Sequence, residues 1–368
     1  MKALLANDLV IQEDNCNLSC QYCLTGQSNF KPGHESQMIF GPPRPSSYSC
    51  GSDLTTRLDA IIAATAAGNN LPIVKVTGGE IFLVRGIMDL IRQLVDTFAT
   101  VVIQTNASLL TPEIITEIAG WSTVCLQVSL DGVSYEGNGY RCINQSQHDH
   151  VMNRLFSALD ARIPTEIYCV LNDRSLPELE HTLEAFLPYS GRVVVNPFPV
   201  RGPDRTQFAP RVEQIDVLRR IAARYERYAG VLPPRPYLTR LLRFFDEGER
   251  SFRCHLPRFA FTTFDDGVLT SCPNIWFNKI GNLLSEDPAD VMARIGHTGF
   301  YQVLLGDKPR IDACKACFTP WDTLSMYVDG EITLDELCRP PSMYSAPASR
   351  ARIAEIAGAY RETACSRS

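Results

Sequence analysis

The sequence has few histidines, no excess of positive charge and no long apolar run. Only six histidines occur in 368 residues, and their spacing matches no metal-ligand pattern. No stretch approaches the ~18 consecutive apolar residues that a membrane span needs. The net charge is -6, so the chain offers no basic field for nucleic acid or for anionic lipid. These absences predict a protein without a nucleic-acid partner and without a membrane partner.

Cysteine, in contrast, is abundant, with 13 residues. A secreted protein would use so many cysteines as disulfides. The N-terminal sequence, however, reaches Asp8 after a very short apolar run, unlike a signal peptide. We therefore expect a cytoplasmic protein whose reduced cysteines bind metal. Its 45% hydrophobic and 21% charged residues are ordinary for a globular protein, and its length suffices for two domains.

Three cysteines, Cys16, Cys20 and Cys23, follow one another with the spacing C-x3-C-x2-C. Three thiolates on one short loop can bind three irons of a [4Fe-4S] cluster and leave the fourth iron open. Zinc is the alternative, but zinc sites usually pair C-x2-C with a distant partner pair. With Tyr22 before the last cysteine, the motif resembles the signature of the radical S-adenosylmethionine (radical SAM) enzymes. The resemblance implies that S-adenosylmethionine (SAM) chelates the open iron and is cleaved to methionine and a 5'-deoxyadenosyl radical.

From residue 8 to about 200, apolar runs alternate with helical patterns. Six strands separated by helices are typical of a parallel βα sheet or barrel, in which chemistry lies at the carboxyl ends of the strands. We expect an α/β fold, a partial (βα)6 radical SAM barrel followed by a small α+β domain with a β-hairpin. Residues 26–51 are rich in Gly, Pro and Ser, which predicts a long irregular loop beside the cysteine motif.

The sequence Thr77-Gly78-Gly79-Glu80 directly follows a predicted strand. It resembles the Gly-Gly-Glu motif of the radical SAM family, although Ile81 stands where the family often has proline. The resemblance implies that Glu80 and the local backbone receive the ammonium group of SAM. Glycine suits this position because it lets the backbone approach a ligand closely.

Further cofactor contacts are implied by the same resemblance. Ser129 stands in an S-x-D-G sequence after the fourth strand and would touch the methionine part or the ribose, and Asn106 stands in a T-N-x context that recurs in the family. Arg141 or Arg154 would neutralise the cofactor carboxylate, and Arg201 would hold the cofactor or the substrate. The predicted cofactor-binding residues are Tyr22, Gly78, Gly79, Glu80, Asn106, Ser129, Arg141 and Arg201.

A second set of cysteines comprises Cys254, Cys272, Cys314 and Cys317. The spacing C-x12-G-x4-C, followed by C-x2-C, resembles the SPASM and twitch extensions of radical SAM enzymes, which hold auxiliary [4Fe-4S] clusters. A predicted hairpin, with strands at 259–263 and 268–270, brings the first two thiols together. Four thiolates would fully occupy one cluster, and a structural zinc site is the alternative. The C-x5-C-x3-C continuation of a full SPASM domain is missing, which favours the twitch form with one auxiliary cluster.

These patterns divide the chain into four predicted segments. Residues 1–205 form the radical SAM partial barrel and residues 206–250 a helical connector. Residues 251–340 form the twitch domain, and residues 341–368 a C-terminal helix and tail.

The twitch form is similar to that of enzymes that tailor sugars and aminocyclitols. This similarity implies a small hydroxyl-rich substrate, two [4Fe-4S] clusters, SAM and a flavodoxin- or ferredoxin-type electron donor. After hydrogen abstraction from a carbinol carbon, an epimerase returns hydrogen from a cysteine thiol to the opposite face, whereas a dehydrogenase forms a ketone. We favour the epimerase.

A peptide-modifying enzyme is an alternative, although the motif at Cys16 leaves no room for an N-terminal recognition domain. A non-enzymatic iron-sulfur electron carrier is the alternative from a different class.

An epimerase needs a cysteine that is not a cluster ligand. Six cysteines remain, namely Cys50, Cys125, Cys142, Cys169, Cys338 and Cys365. Cys169 and Cys142 rank first as catalytic hydrogen donors because both lie near the predicted active ends of strands, and Cys338 ranks third. Each of them also fits the role of a small buried hydrophobic residue.

Overall fold

A computed structural model describes residues 4–24, 51–66, 71–202 and 205–365. Within these residues, nine strands form one sheet in the order β6-β5-β4-β3-β2-β1-β7-β8-β9. The strands are β1 Ala6–Ile11, β2 Ile73–Gly78, β3 Thr100–Thr105, β4 Val124–Ser129, β5 Thr165–Leu171, β6 Val193–Pro199, β7 Ala260–Phe264, β8 Val268–Cys272 and β9 Ile275–Asn282. The irregular loop predicted over 26–51 lies outside the described residues except for its last residue, which begins a helix.

Helices connect and cover the strands. They are α1 Gly51–Ala66, α2 Ile87–Thr97, α3 Pro112–Ala119, α4 Tyr135–Asn138, α5 Gln145–Asp160, α6 Leu179–Phe186, α7 Arg205–Phe208, α8 Ile215–Ala223, α9 Tyr225–Tyr228, α10 Arg235–Glu247, α11 Leu256–Phe259, α12 Pro288–Arg294, α13 Gly299–Leu304, α14 Asp312–Lys315, α15 Asp322–Val328, α16 Leu334–Leu337 and α17 Pro347–Cys365. Among the described residues, no helix combines the length and apolar character that a membrane crossing requires.

The α/β fold predicted from the sequence is confirmed. Strands β1 to β6 run parallel and alternate with helices along the chain. Every residue of β1 and β5 is buried, because the strands of such a sheet are covered on both faces. α3 begins with a capped turn: Thr111 accepts a hydrogen bond from the Ile114 amide, and Pro112 occupies the first turn.

Two boundaries are set by features outside the apolar pattern. β6 continues to Pro199, beyond its apolar run of three valines. It tolerates Pro197 and Pro199 because it lies at an edge of the sheet and pairs only with β5 there. α5 begins at Gln145, because Asn144 caps it.

The C-terminal hairpin joins the barrel sheet directly. β7 pairs in parallel with β1, from Ala6 opposite Ala260 to Val10 opposite Phe264. β8 and β9 then add antiparallel strands. The predicted hairpin is therefore present and is extended by β9, whose mixed polar sequence gave no strand signal. The sheet is continuous between residues 1–205 and 251–340, so the division of the chain into these domains stays a prediction.

Candidate active site

A cavity of about 220 Å³ opens at the carboxyl ends of the parallel strands. Its wall combines the cysteine loop after β1, the turn after β2, the ends of β3 to β6 and residues from the C-terminal segment. The predicted site residues that it includes are Cys16, Cys20, Tyr22, Cys23, Gly78, Gly79, Asn106, Ser129, Arg141 and Arg201. The sheet therefore gathers residues that are far apart in sequence, as the strand pattern predicted.

The cysteine loop is positioned by neighbouring polar groups. Cys16 Sγ accepts hydrogen bonds from the Leu18 amide at 3.5 Å and from Asn106 Nδ2 at 3.9 Å. Arg141 Nη1 lies 4.0 Å from Cys20 Sγ. Burial raises the pKa of the Cys20 thiol to about 12, although Arg141 opposes the rise. A free thiol at this position stays protonated at neutral pH, and a bound metal cation would ionise it.

Asp131 is the hub of the polar network behind the loop. It is fully buried and accepts hydrogen bonds from Tyr22 Oη, from Arg141 Nε at 2.8 Å and from the Val170 amide at 3.1 Å. These contacts tie the cysteine loop to β4 and β5 and fix the guanidinium group beside the cavity. In the sequence, Asp131 stands out only as the acidic residue of the S-x-D-G motif. A carboxylate directly after a buried strand was the available signal for its role.

We expect Asp131→Asn to lower the free energy of unfolding by about 3–5 kcal/mol, because the mutation leaves the buried Arg141 charge without its counterion. Urea denaturation of the metal-free protein measures the effect. Asp89→Asn is the matched control, since it breaks the solvent-exposed pair with Arg92 and should cost less than about 1 kcal/mol. Equal losses in the two variants would contradict the assignment of Asp131 as a structural hub.

Glu80 accepts several hydrogen bonds from within the protein. Its carboxylate accepts hydrogen bonds from Thr105 Oγ1 at 2.7 Å, from the Asn106 amide at 2.7 Å and from the Phe82 amide at 3.2 Å. It is 1% exposed, and the cavity wall formed by the described residues does not include it. In the structure, Glu80 holds the turn after β2 against the end of β3. The contact between its side chain and the ammonium group of SAM stays a prediction.

Gly78 and Gly79 lie where β2 packs against the cysteine loop. A Cβ atom on Gly78 would lie 1.9 Å from the Ile11 carbonyl oxygen, and one on Gly79 would lie 2.1 Å from that of Asn15. Only glycine fits at either position. The close approach exposes backbone to the cavity beside Ser129 and Arg141. The guanidinium group of Arg141, the hydroxyl group of Ser129 and this backbone lie around the three thiols of the cysteine loop. Together they form a set of groups that fits SAM bound to a cluster on those thiols.

The second set of cysteines surrounds a neighbouring cavity. Cys254, Cys272, Cys314 and Cys317 all line it, as the hairpin spacing predicted. Burial raises the pKa of the Cys254 thiol to about 11, and the guanidinium group of Arg250 opposes the rise.

Arg250 forms buried hydrogen bonds beside this second site. It is 3% exposed, pairs with Asp322 at 3.2 Å between Nη1 and Oδ2, and donates from Nη1 to the Cys317 carbonyl oxygen at 3.0 Å. Four thiols around a buried cation form a donor set that fits an anionic iron-sulfur cluster.

Within the described ranges, no three His, Cys, Asp or Glu side chains form a group that could hold a single metal ion. The thiolates of a [4Fe-4S] cluster bind separate irons, so a cluster does not require such a group. The auxiliary cluster at the second site stays a prediction.

Arg201 lies between the two cavities. Its Nη1 donates to Asn274 Oδ1 at 2.8 Å, and Asn274 lines both cavities, together with Thr319 and Trp321. Burial raises the pKa of the Cys317 thiol, whereas the positive charge of Arg201 lowers it. The residue predicted to hold cofactor or substrate therefore also influences the second cysteine site.

The three cysteines ranked as hydrogen donors do not reach the cavity in the part of the chain that the structure describes. Cys169 lies between Tyr168 and Val170, which both line the cavity, and alternation along β5 turns it away. Its Sγ donates to the Asp131 carbonyl oxygen at 3.2 Å. Cys142 Sγ accepts from Asn138 Nδ2 at 3.3 Å behind the cavity wall.

The remaining cysteines do not line the cavity either among the described side chains. Cys338 is 4% exposed after α16, and Cys125 Sγ contacts the Pro341 carbonyl oxygen at 3.3 Å. Cys50 and the side chain of Cys365 lie outside what the structure describes. The role of a cysteine as hydrogen donor therefore stays a prediction.

Comparison with known proteins identifies the domain that carries this site. Residues 13–186 match the Radical SAM superfamily. The AdoMet-dependent heme synthase of Methanosarcina barkeri (strain Fusaro / DSM 804) is 25% identical over 169 residues, which are 46% of this chain and 43% of that protein. Residues 13–186 are therefore similar to a radical SAM domain, and the chain spans less than half of this relative. Domains of that superfamily bind SAM and one [4Fe-4S] cluster.

Solved structures share the wider architecture. The structure of anSMEcpe with bound AdoMet matches with a TM-score of 0.58 at 15% identity and covers 96% of both chains. Streptococcus suis SuiB matches with a TM-score of 0.58 at 11% identity, over 82% of this chain and 68% of SuiB. At these identities the similarity establishes the fold, which includes the region C-terminal to the barrel.

Proposed function

We propose that the chain is a radical SAM enzyme that oxidises a hydroxyl-bearing carbon of a small, hydroxyl-rich substrate. When bound at Cys16, Cys20 and Cys23, a [4Fe-4S] cluster with SAM supplies a 5'-deoxyadenosyl radical that takes a hydrogen atom from carbon. The observation that carries the proposal is the adjacency of the two cysteine sites. Their cavities share Asn274, Thr319 and Trp321 as a common wall.

Named residues would hold the cofactor. Arg141, fixed by Asp131, presents its remaining N–H groups beside Cys20 and would bind the SAM carboxylate. The backbone at Gly79 and the hydroxyl group of Ser129 face the same space and would bind the rest of its polar groups. Tyr22 and Asn106 position the cysteine loop through their hydrogen bonds.

Oxidation is favoured over epimerisation by the position of the sulfur atoms. An epimerase needs a thiol at the cavity, and Cys169, Cys142 and Cys338 do not line it among the described residues. Oxidation removes a hydrogen atom from carbon, a proton from the hydroxyl group and one electron, which together leave a carbonyl group. A [4Fe-4S] cluster on Cys254, Cys272, Cys314 and Cys317 supplies a one-electron acceptor next to the substrate cavity.

Peptide modification is the second candidate function. It is favoured by the match to anSMEcpe with bound AdoMet and Cp18Cys peptide, which covers 99% of this chain and 100% of that one at a TM-score of 0.57. For either function, we propose a cytoplasmic protein reduced by a flavodoxin- or ferredoxin-type donor.

Anaerobic turnover in deuterated water tests the proposal. The reaction contains SAM, dithionite and a panel of aminoglycoside and oligosaccharide intermediates, with a peptide panel in parallel, and mass spectrometry reads the products. We expect 5'-deoxyadenosine and a sugar-derived product two mass units lighter than its substrate. A product of unchanged formula with one solvent deuterium would overturn oxidation in favour of epimerisation. Turnover of peptides alone would overturn the substrate class, and absence of 5'-deoxyadenosine would overturn the radical SAM activity.

A further inference from the structure

Two charged residues lie in the middle of adjacent strands at the floor of the cavity. Asp8 of β1 and Lys75 of β2 are register partners, and both line the cavity. Their side chains are only 4% and 7% exposed, and Asp8 Oδ1 lies 3.6 Å from Lys75 Nζ. This separation is longer than a hydrogen bond, so the pair neutralises charge without completing its hydrogen bonding. Buried charges without such bonds are costly in a fold.

A third polar residue, Tyr168, lines the same cavity. Asp8 Oδ1 and Tyr168 Oη are both buried without a hydrogen-bond partner in the described part of the chain. Tyr168 lines the cavity, and Lys75 Nζ lies 5.7 Å from the centre of its ring. Buried polar atoms in native proteins are almost always satisfied by protein, water or ligand. Two unsatisfied oxygens and an ammonium group at one cavity floor therefore indicate a ligand.

We propose that Asp8, Lys75 and Tyr168 form a binding site for one hydroxyl group of the substrate. Asp8 accepts the hydroxyl proton, while Lys75 and Tyr168 donate to the two lone pairs of the hydroxyl oxygen. The inference rests on the proposed function, since it names the group that the same cavity recognises. Neither the family match nor the cysteine motifs assign a role to these three residues.

The chemistry of the site selects the hydroxyl group. A hydroxyl has one donor and two acceptor positions, which matches one acceptor and two donors in the protein. A carboxylate would lie against Asp8 without a proton to donate, and an ammonium group would lie against Lys75 without a lone pair. A single oxygen about 2.8 Å from both charged groups bridges their 3.6 Å gap.

The surroundings suit a ring that carries hydroxyl groups. Phe198, Trp276 and Trp321 line the same cavity. Apolar aromatic walls with a few placed polar groups are the usual composition of a small-molecule site. The aromatic faces would pack against the C–H groups of the ring while the floor binds its hydroxyl group.

Binding of 2-deoxystreptamine tests the proposal, with cis-1,3-diaminocyclohexane as the probe that keeps both amines and lacks every hydroxyl group. Calorimetry on the reconstituted enzyme with SAM should show saturable binding of the first probe and at least tenfold weaker binding of the second. Asp8→Asn and Lys75→Met should each weaken binding of 2-deoxystreptamine at least tenfold, as loss of a hydrogen bond to a charged group does. Equal binding of the two probes, absence of saturable binding, or variants that bind like the wild type would overturn the hydroxyl site.

Two further measurements separate this inference from its alternatives. Cleavage of SAM by dithionite without substrate is measured on the wild type, and its absence there would indicate failure of the proposed function rather than of the hydroxyl site. A structural role is tested with the double variant Asp8→Leu/Lys75→Met, because an apolar pair can replace a buried ion pair without loss of stability. We expect a melting temperature no lower than that of the wild type. A marked drop, with binding retained in the single variants, would assign the pair to the fold.

Discussion

Replacing Cys16, Cys20 and Cys23 together with alanine should abolish SAM cleavage and leave about four irons per chain. The first cluster loses all its thiolates, whereas the four cysteines of the second cavity are untouched. Anaerobic reconstitution followed by iron and sulfide analysis measures the metal. Chromatography of 5'-deoxyadenosine after reduction measures the cleavage.

Cys125→Ala is the matched control for this experiment. Cys125 is buried in β4, and its Sγ contacts the Pro341 carbonyl oxygen rather than either cysteine site. This variant should keep both the full iron content and SAM cleavage. Zinc in place of the remaining iron in the triple variant would contradict the auxiliary cluster, and residual cleavage of SAM would contradict the assignment of the first motif.

Cys272→Ala should separate hydrogen abstraction from oxidation. The residue ends β8 and lines the second cavity, away from the cysteine loop after β1. The variant should still cleave SAM, but the amount of oxidised product should fall at least about 100-fold. Loss of a residue that only supports a metal ligand typically costs about 10- to 100-fold, and loss of a ligand itself should cost more. The measured quantity is the ratio of oxidised product to 5'-deoxyadenosine.

Cys169→Ala is the informative comparison for the second experiment. If Cys169 is a buried structural residue, the ratio of product to 5'-deoxyadenosine should equal that of the wild type. Loss of product in this variant, with a wild-type ratio in Cys272→Ala, would return the mechanism to a thiol hydrogen donor and would contradict oxidation through the second site.

The sequence predicted the features that depend on short-range patterns. Strand ends followed by glycine or polar residues located Gly78, Asn106 and Ser129 at one edge of the sheet, and the structure brings them together. Cysteine spacing likewise identified the two clusters of thiols. The strand ends and the first cysteine motif are readable because they lie within a few residues of chain. The second set extends from Cys254 to Cys317, and the predicted hairpin and the resemblance to the twitch extension joined its members.

Features that depend on register between distant strands were missed. The pairing of Asp8 with Lys75 and the contact of Tyr22 with Asp131 each join separate strands or loops. The donors that bind the Glu80 carboxylate come from the end of the next strand, so the Gly-Gly-Glu sequence alone did not show them. The orientation of Cys169 was hidden because β5 is buried on both faces, so its sequence shows no alternation.

The pairing of β1 with β7 has a consequence for synthesis of the chain. Thr263 of β7 hydrogen-bonds to Asn7 of β1, 256 residues earlier in the sequence. A nascent chain that has completed β6 therefore keeps one side of β1 exposed as an unpaired edge until the ribosome has made β7. Exposed edges attract other strands and promote aggregation. A fragment that ends near residue 205 would keep that edge permanently, so the barrel segment should express poorly on its own.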